Sequence, residues 1–417
     1  MHMEYDVIIV GARVAGSSLA YEMSQLGYKV LLVDKSTFPS DTLSTHNFFN
    51  NSVAMLREMG VLNQLLETGT PLYKRAYIEM DGAVMEGDYP EASGETGCLC
   101  IRRTHLDGIL FNHAAKQPGV ATMQGFRVTE LLREDGRDHG PVIGVRGVNK
   151  EGNLQSIKAK LVVGADGRRS LVRRLVGAKQ LHCVPTDFAS YVAYFSEYRQ
   201  PGEPRVEFYK SGETIAIAFP TSDHLHVVGL MFPLTDLERV EQFKADAEGA
   251  FRLLCEEKMA NTSLTASLRR ANLEGSVKGL LGYDNDWFEG MGEGWALLGD
   301  ALSFKDPAVG QGMHDALYGS KALSRLLDEN RGQWQQAWKP MAEAYRSQME
   351  AKMMSRFALA CQFTRNVPIT PQQQALNQLI AGSPEATEVF LGIYNYTHEP
   401  EALGAVIGKL LQDQVPS

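Results

Sequence analysis

The stretch Gly11-Ala12-Arg13-Val14-Ala15-Gly16 follows the apolar run Val7-Ile8-Ile9-Val10 and leads into a segment with Leu19, Met23 and Leu26 on one face. A buried strand that turns through glycines into a helix aims backbone N–H groups and the positive helix end at one point, which suits a pyrophosphate. Gly11 then permits the tight turn, and Gly16 permits close packing of helix on strand. A second apolar run, Val30-Leu31-Leu32-Val33, ends at Asp34, whose carboxylate is placed to accept hydrogen bonds from ribose hydroxyls. Arg13 stands where a second glycine is usual; its side chain either crowds the phosphates or swings outward and helps to neutralise them. The turn alone would pass for an ordinary strand-to-helix connection, but strand, helix and carboxylate together point to a bound nucleotide.

Two later stretches have the same logic. Leu161-Val162-Val163 runs into Gly164-Ala165-Asp166-Gly167-Arg168-Arg169-Ser170, which as structure alone is a strand-to-helix turn capped by Ser170. Trp295-Ala296-Leu297-Leu298 delivers Gly299-Asp300-Ala301, and a loop from Asp306-Pro307 to Gly310-Gln311-Gly312-Met313 opens a further helix through Asp315, Ala316 and Leu323. The N–H groups at Gly310–Met313 are placed to face an anion.

The elements that hold these residues follow from periodicity. Four-residue apolar runs mark parallel strands covered on both faces. Gly27 suits a helix C-terminus. Helices are expected from about Asn47 to Leu66 and from Thr104 to Ala115, with extended chain from Tyr73 to Tyr89 about an Asp81-Gly82 turn. Strand-like runs from Ala189 to Phe232 suit a largely antiparallel sheet. Beyond Lys321 the chain reads as helical, with Trp334, Trp338, Met341, Tyr345, Met349, Met353, Phe357 and Cys361 on one packing face and Pro340 near the start.

Composition narrows the class. A formal net charge of −9 argues against a protein that binds nucleic acid by neutralising phosphates. No apolar run reaches the roughly 18–20 residues that cross a bilayer, and no signal peptide is evident, so the cytoplasm is the expected location. The five cysteines, Cys98, Cys100, Cys183, Cys255 and Cys361, form neither a disulfide framework nor a zinc-ligand pattern, and no metal is expected.

Together, in this order and at these separations, the three motifs resemble those of FAD-dependent aromatic hydroxylases related to para-hydroxybenzoate hydroxylase. The resemblance covers about residues 4–325. It implies an α/β fold: a Rossmann-like FAD-binding domain from residues 4–72, 99–180 and 286–330, an inserted, largely antiparallel β-sheet substrate domain from 73–98 and 181–285, and a C-terminal helical segment, 331–417. It assigns Gly11, Gly16 and Asp34 to the ADP half of FAD, with Arg13 and Lys35 beside it. Asp166 falls in a motif that serves flavin and nicotinamide contacts, Arg103 matches an arginine near the FAD linker, and Gly299 and Asp300 meet the ribityl chain. Pro307 opens the loop in which Gly310, Gln311, Gly312 and Met313 offer N–H groups to the pyrimidine end of the flavin, where negative charge develops on reduction. This chain departs from the family pattern at Ser303, where a histidine is frequent, and at Leu43-Ser44-Thr45-His46, where His46 stands in for an arginine near the flavin.

The implied reaction takes electrons from NADH or NADPH, uses O2 and hydroxylates an aromatic or polycyclic small molecule while the protein excludes water. The resemblance carries over no acid or base; His224, His226 and Tyr191 on the inserted sheet are unranked candidates. Two rivals share the superfamily. Flavin-dependent halogenases use a lysine, for which Lys74 lies in the right region, although no Trp-x-Trp-x-Ile-Pro stretch is present. Geranylgeranyl reductases carry text similar to Asp41-Thr42-Leu43-Ser44-Thr45-His46. A flavin-binding module that sequesters a ligand or senses redox state is the non-enzyme alternative.

Overall fold

The computed structural model describes residues 4–42, 46–134 and 140–413. Leu43, Ser44 and Thr45, part of the reductase-like stretch, lie outside the described residues.

The N-terminal unit consists of strand β1 (Tyr5–Val10), helix α1 (Val14–Gln25) and strand β2 (Val30–Asp34). Gly27, at φ +77°, turns the chain between helix and strand. Strands β3 (Val120–Gln124), β4 (Leu154–Gly164) and β5 (Trp295–Leu297) complete a parallel core in the order β5-β4-β1-β2-β3. The unbroken Val/Ile/Leu runs are explained by this position, since both faces of the central strands are covered. In register, Val10 lies beside Gly164 and Gly164 beside Leu297. Three motifs far apart in sequence therefore leave the sheet side by side at its carboxyl edge, where open α/β sheets bind their ligands.

A second sheet of seven strands runs Asn272–Leu281, Phe188–Ser196, His226–Pro233, Thr214–Pro220, Arg205–Ser211, Arg75–Met80 and Ala83–Asp88. It is antiparallel apart from one parallel pair, Arg205–Ser211 with Arg75–Met80. Alternation sends Val192, Tyr194, Ile217, Phe219, Val227 and Met231 to one apolar cluster, while Tyr191, Ala193, Phe195, Val228, Leu230 and Phe232 join another on the opposite face. Tyr191 packs on Phe243 at 4.3 Å between ring centroids.

The sequence expectation differs from the structure in two places. The helix expected from Asn47 begins at Asn50, because Asn47–Phe48 pairs with Cys98–Cys100 in a small sheet that also takes Leu72–Tyr73. Gly60, at φ +81°, ends that helix, and Leu62–Leu66 is a separate turn. Within 181–285, three helices not anticipated from the strand pattern, Leu237–Ala245, Ala247–Met259 and Ser263–Leu268, cover the outer face of the sheet. Their signals were local: Asp236, Asp246 and Thr262 each accept a hydrogen bond from the backbone N–H three residues on.

Helix α2 (Arg103–Ala115) packs against α1, and α3 (Gly312–Glu329) lies beside both α1 and the long α4 (Trp334–Phe363). The apolar stripe of α4 from Trp334 to Phe357 is buried in the core of the parallel sheet, with Cys361 at its margin and Pro340 within its first turns. Helices Pro371–Ala381 and Pro384–Tyr394 pack on the Ala83–Asp88 strand, with Pro400–Asp413 behind them. Among the described residues no helix is long and apolar enough to cross a membrane.

Candidate cofactor and substrate site

The glycine turn admits no side chain at either end. A Cβ at Gly11, whose φ is +103°, would lie 2.3 Å from the carbonyl oxygen of Ala165, and one at Gly16 would lie 1.7 Å from that of Gly11. Helix α1 has no side-chain cap; its first backbone acceptor, Arg13, receives Ser17 N–H at 2.9 Å. The N–H groups of Val14, Ala15 and Gly16 precede that bond, as the first turn of a helix requires. Asp34 accepts from Ala12 N at 2.8 Å and Ser36 N at 2.7 Å, so its carboxylate holds the turn in shape while standing at its mouth. Lys35 is exposed.

Arg13 swings outward. Its guanidinium pairs with Asp107, donates to Ser40 Oγ at 3.0 Å and lies 5.9 Å from the centre of the Phe38 ring. Arg103 is buried and pairs through Nε with the other oxygen of Asp107 at 2.9 Å. One fully buried carboxylate thus anchors two guanidiniums beside α1, and it was legible only as the residue four after Arg103.

The second motif is occupied with its own turn. Asp166 accepts from Leu171 N at 2.6 Å and from Ser170 Oγ, while Ser170 caps the helix by accepting from Arg173 N. Arg173 reaches across to donate to Ala301 O at 3.0 Å, which fastens the third motif to the second.

Gly299, at φ +60°, is wedged between the first turns of two helices: a Cβ there would lie 3.0 Å from Ala15 Cβ of α1 and 3.8 Å from Ala316 Cβ of α3. Asp300 therefore sits where both helix N-termini converge, and a Cβ on Gly312 would be 4.0 Å from its Oδ1. Among the described residues its carboxylate has no hydrogen-bond partner, and burial raises its pKa to about 6, against the opposing pull of Arg103, Arg168 and Arg173. An unpartnered carboxylate deep in a cleft between two helix ends fits a ligand that brings hydroxyl donors.

The loop after Asp300 is built for backbone donation. Asp306 caps the turn Pro307–Val309 through Ala308 N at 2.8 Å, and Gly310 follows at φ +65°. A Cβ at Gly310 would touch Asn47 Nδ2 and the Phe49 ring, both at 3.5 Å, so the strand Asn47–Phe48 borders the loop. Gln311 caps α3 with its backbone; its side chain donates to Tyr394 O at 3.2 Å and accepts from Lys305 Nζ at 3.3 Å. Gly312 is exposed and Met313 partly so, leaving their N–H groups open at the head of the 18-residue α3. Ser303 pairs with Trp287 in a short strand.

His46 is buried, its Nε2 bonded to the hydroxyl of Tyr194 on the seven-stranded sheet, and it bridges the two halves of the molecule. Burial, aided by Arg103 and Arg102, holds its imidazole well below the ordinary range. The other sheet candidates lie elsewhere: Tyr191 faces the outer helices, His226 stacks on Tyr198 at 4.6 Å and His224 is exposed in a turn. Two phenols missed in the sequence border the inner face instead, Tyr194 and Tyr283; the latter donates to Asp306 at 2.8 Å and lies 3.5 Å from Ser190 Oγ. Lys74 is on the outer edge of the sheet, exposed and paired with Asp88 at 3.2 Å.

His314, also unanticipated, has Nδ1 within 3.1 Å of Asn51 Nδ2 and Ser52 Oγ. An amide nitrogen only donates, so Nδ1 is the acceptor and Nε2 bears the proton. Burial lowers its pKa to about 3. The unfolded chain then takes up a proton below about pH 6.5 that the folded chain refuses, and stability is lost as pH falls. His314→Gln is expected to lose about 2 kcal/mol less than the wild type between pH 7 and pH 5, measured by urea unfolding at both values; parallel losses would place the proton on His314 in the folded state.

A glycine-turned parallel sheet with three motifs converging on two open helix N-termini defines a flavin-dependent oxidoreductase. The chain belongs to the FAD binding domain family, whose model matches residues 4–356, and its cofactor is FAD. It is 26% identical over 336 residues to 6-methylpretetramide 4-monooxygenase of Streptomyces rimosus, covering 78% of this chain and 75% of that one. It is 26% identical over 342 residues to menaquinone reductase of Mycolicibacterium smegmatis, covering 78% and 77%. The flavin-dependent brominase Bmp2 has the same fold at 18% identity, with a TM-score of 0.80 over 98% of this chain and all of that one.

Proposed function

We propose that this protein is a monooxygenase that uses NAD(P)H and O2 to hydroxylate an aromatic or polycyclic small molecule. One observation carries the reading: the sheet face turned toward the Gly310–Met313 loop is apolar at its centre, through Val192, Ile217 and Met231, and is bordered by hydrogen-bonded phenols at Tyr194 and Tyr283. Such a wall favours a flat ring that carries a few polar substituents. The N-terminus of α1 would hold the pyrophosphate of FAD, Asp300 its ribityl hydroxyls, and Gly312 and Met313 its pyrimidine. When bound, the flavin supplies electron transfer and oxygen activation. The protein's share is orientation and the exclusion of water, aided by Tyr394, Asn395 and Tyr396, which close over Gln311 and the Asn50 helix.

Lys74 on the exposed edge speaks against halogenation. Alkene reduction is the second reading, favoured by the continuation of the inner apolar cluster into Ile380, Leu391, Leu403 and Ile407. The test is oxidation of NADH and NADPH in air by the purified protein with a panel of phenols and fused-ring aromatics. A rate increase of tenfold or more with at least one of them is expected; a rate raised only by isoprenoid lipids, and equally without oxygen, would favour the reductase.

A further inference from the structure

Lys305 has only 2% of its side chain exposed, and a lysine so deeply placed costs several kcal/mol unless its charge is matched. The match is complete: Asp315 pairs at 2.8 Å, and Gln311 Oε1 and the Tyr396 hydroxyl each lie 3.3 Å from Nζ. Tyr396 comes from the C-terminal segment at φ +64°, a conformation uncommon for a bulky residue, and its hydroxyl donates to Asp315 at 2.8 Å. Two more cations stack on the Tyr396 ring, Arg356 at 4.1 Å and Lys352 at 4.9 Å. Against these three stand one buried carboxylate, Asp315, and one largely exposed carboxylate, Glu399, paired with Arg356. Within this cluster the cations outnumber the carboxylates, and Gln311 and Asp315 tie it to the first turn of α3, whose dipole has the same sign.

Packing alone does not account for this arrangement, since buried ion pairs replaced by apolar residues of similar volume are often neutral or stabilising. We propose that Lys305, held by Asp315 and Tyr396 and acting through Gln311, is an electrostatic positioning residue that raises the reduction potential of the bound flavin. Uptake of two electrons and one proton leaves a negative charge at the pyrimidine end, and a fixed cation in a water-poor site stabilises that form over the oxidised one. The inference rests on the placement of FAD against Gly310–Met313 and is independent of whether oxygen insertion or alkene reduction follows.

The measurement is the flavin midpoint potential of the holoenzyme, by spectrophotometric titration against reference dyes. Lys305→Met is expected to shift it negative by at least a tenfold fall in the reduction equilibrium, about 30 mV for a two-electron couple. Asp315→Asn, which leaves the cation uncompensated, is expected to shift it positive, and Lys305→Arg to retain the wild-type value. Lys352→Met, at a partly exposed site, supplies a smaller negative shift should Lys305→Met fail to fold. Unchanged potentials in all charge-altering variants that retain FAD, or shifts of one sign in both Lys305→Met and Asp315→Asn, would overturn the proposal. If Asp300→Asn still loses FAD, that outcome leaves the cofactor placement standing; if Asp300→Asn binds normally, the placement itself is at fault.

Discussion

Asp300→Asn is expected to bind FAD at least about tenfold more weakly than the wild type, yet to give a more stable apoprotein at pH 7.5. The two effects have one cause. In the unfolded chain this carboxyl ionises near 3.8, whereas burial raises it to about 6 in the fold. Between those values the folded chain retains a proton the unfolded chain has released, so stability falls as pH rises from about 4 to 6 and stays lower above. The loss at pH 7.5 is at most about 3 kcal/mol, and less in so far as the carboxylate, packed deep between α1 and α3, keeps part of its surface accessible. Asparagine carries no charge, so it recovers that loss at pH 7.5 and nothing at pH 4. It also forfeits charge-assisted bonds from the ribityl hydroxyls, each about 1.5–3 kcal/mol, which is where the tenfold or greater loss of affinity comes from. Flavin titration of apoprotein and thermal melts at both pH values check the pair; full occupancy at wild-type affinity would remove Asp300 from the site.

Gly16→Val has the largest expected effect on the fold. The clash falls within the turn itself, since a Cβ would stand 1.7 Å from the carbonyl oxygen of Gly11, with Ile9 of β1 next at 3.2 Å. Backbone cannot give way as a flexible side chain can, and Gly11 is already pinned against Ala165 of the neighbouring strand exit. Opening the turn separates α1 from β1 at the centre of the main core, a loss on the order of 4 kcal/mol or more. The variant should be recovered mainly as insoluble protein, and any soluble fraction should lack flavin absorbance. A soluble, yellow Gly16→Val protein with wild-type melting would mean that the turn has another conformation.

The three motifs were legible because each rests on a backbone requirement that residue type reveals. A glycine that no Cβ can replace, an apolar run that ends in a polar residue and a proline before a helix can each be read locally, and register then brings Val10, Gly164 and Leu297 level. The oxygens of Asp166 close their own turn at Leu171 and Ser170, a partner set that motif spacing does not reveal. Tyr191 could not be ranked because strand parity relative to the sheet faces is set by partners distant in sequence; it faces the outer helices, and Tyr194 holds the inward position. The C-terminal cover was illegible for a similar reason: nothing in Tyr394-Asn395-Tyr396 marks it as the grip on Gln311 and Asp315, which arises only from how three short helices pack.

Oxygen incorporation tests the central claim most directly. Once an aromatic compound that stimulates NAD(P)H oxidation is in hand, the reaction is run under 18O2 and the product weighed by mass spectrometry. The account predicts a product heavier than the substrate by one oxygen, carrying the label from O2. A product without label, whether saturated at a double bond or bearing a halogen supplied as halide, would contradict the hydroxylase reading while leaving the FAD site in place.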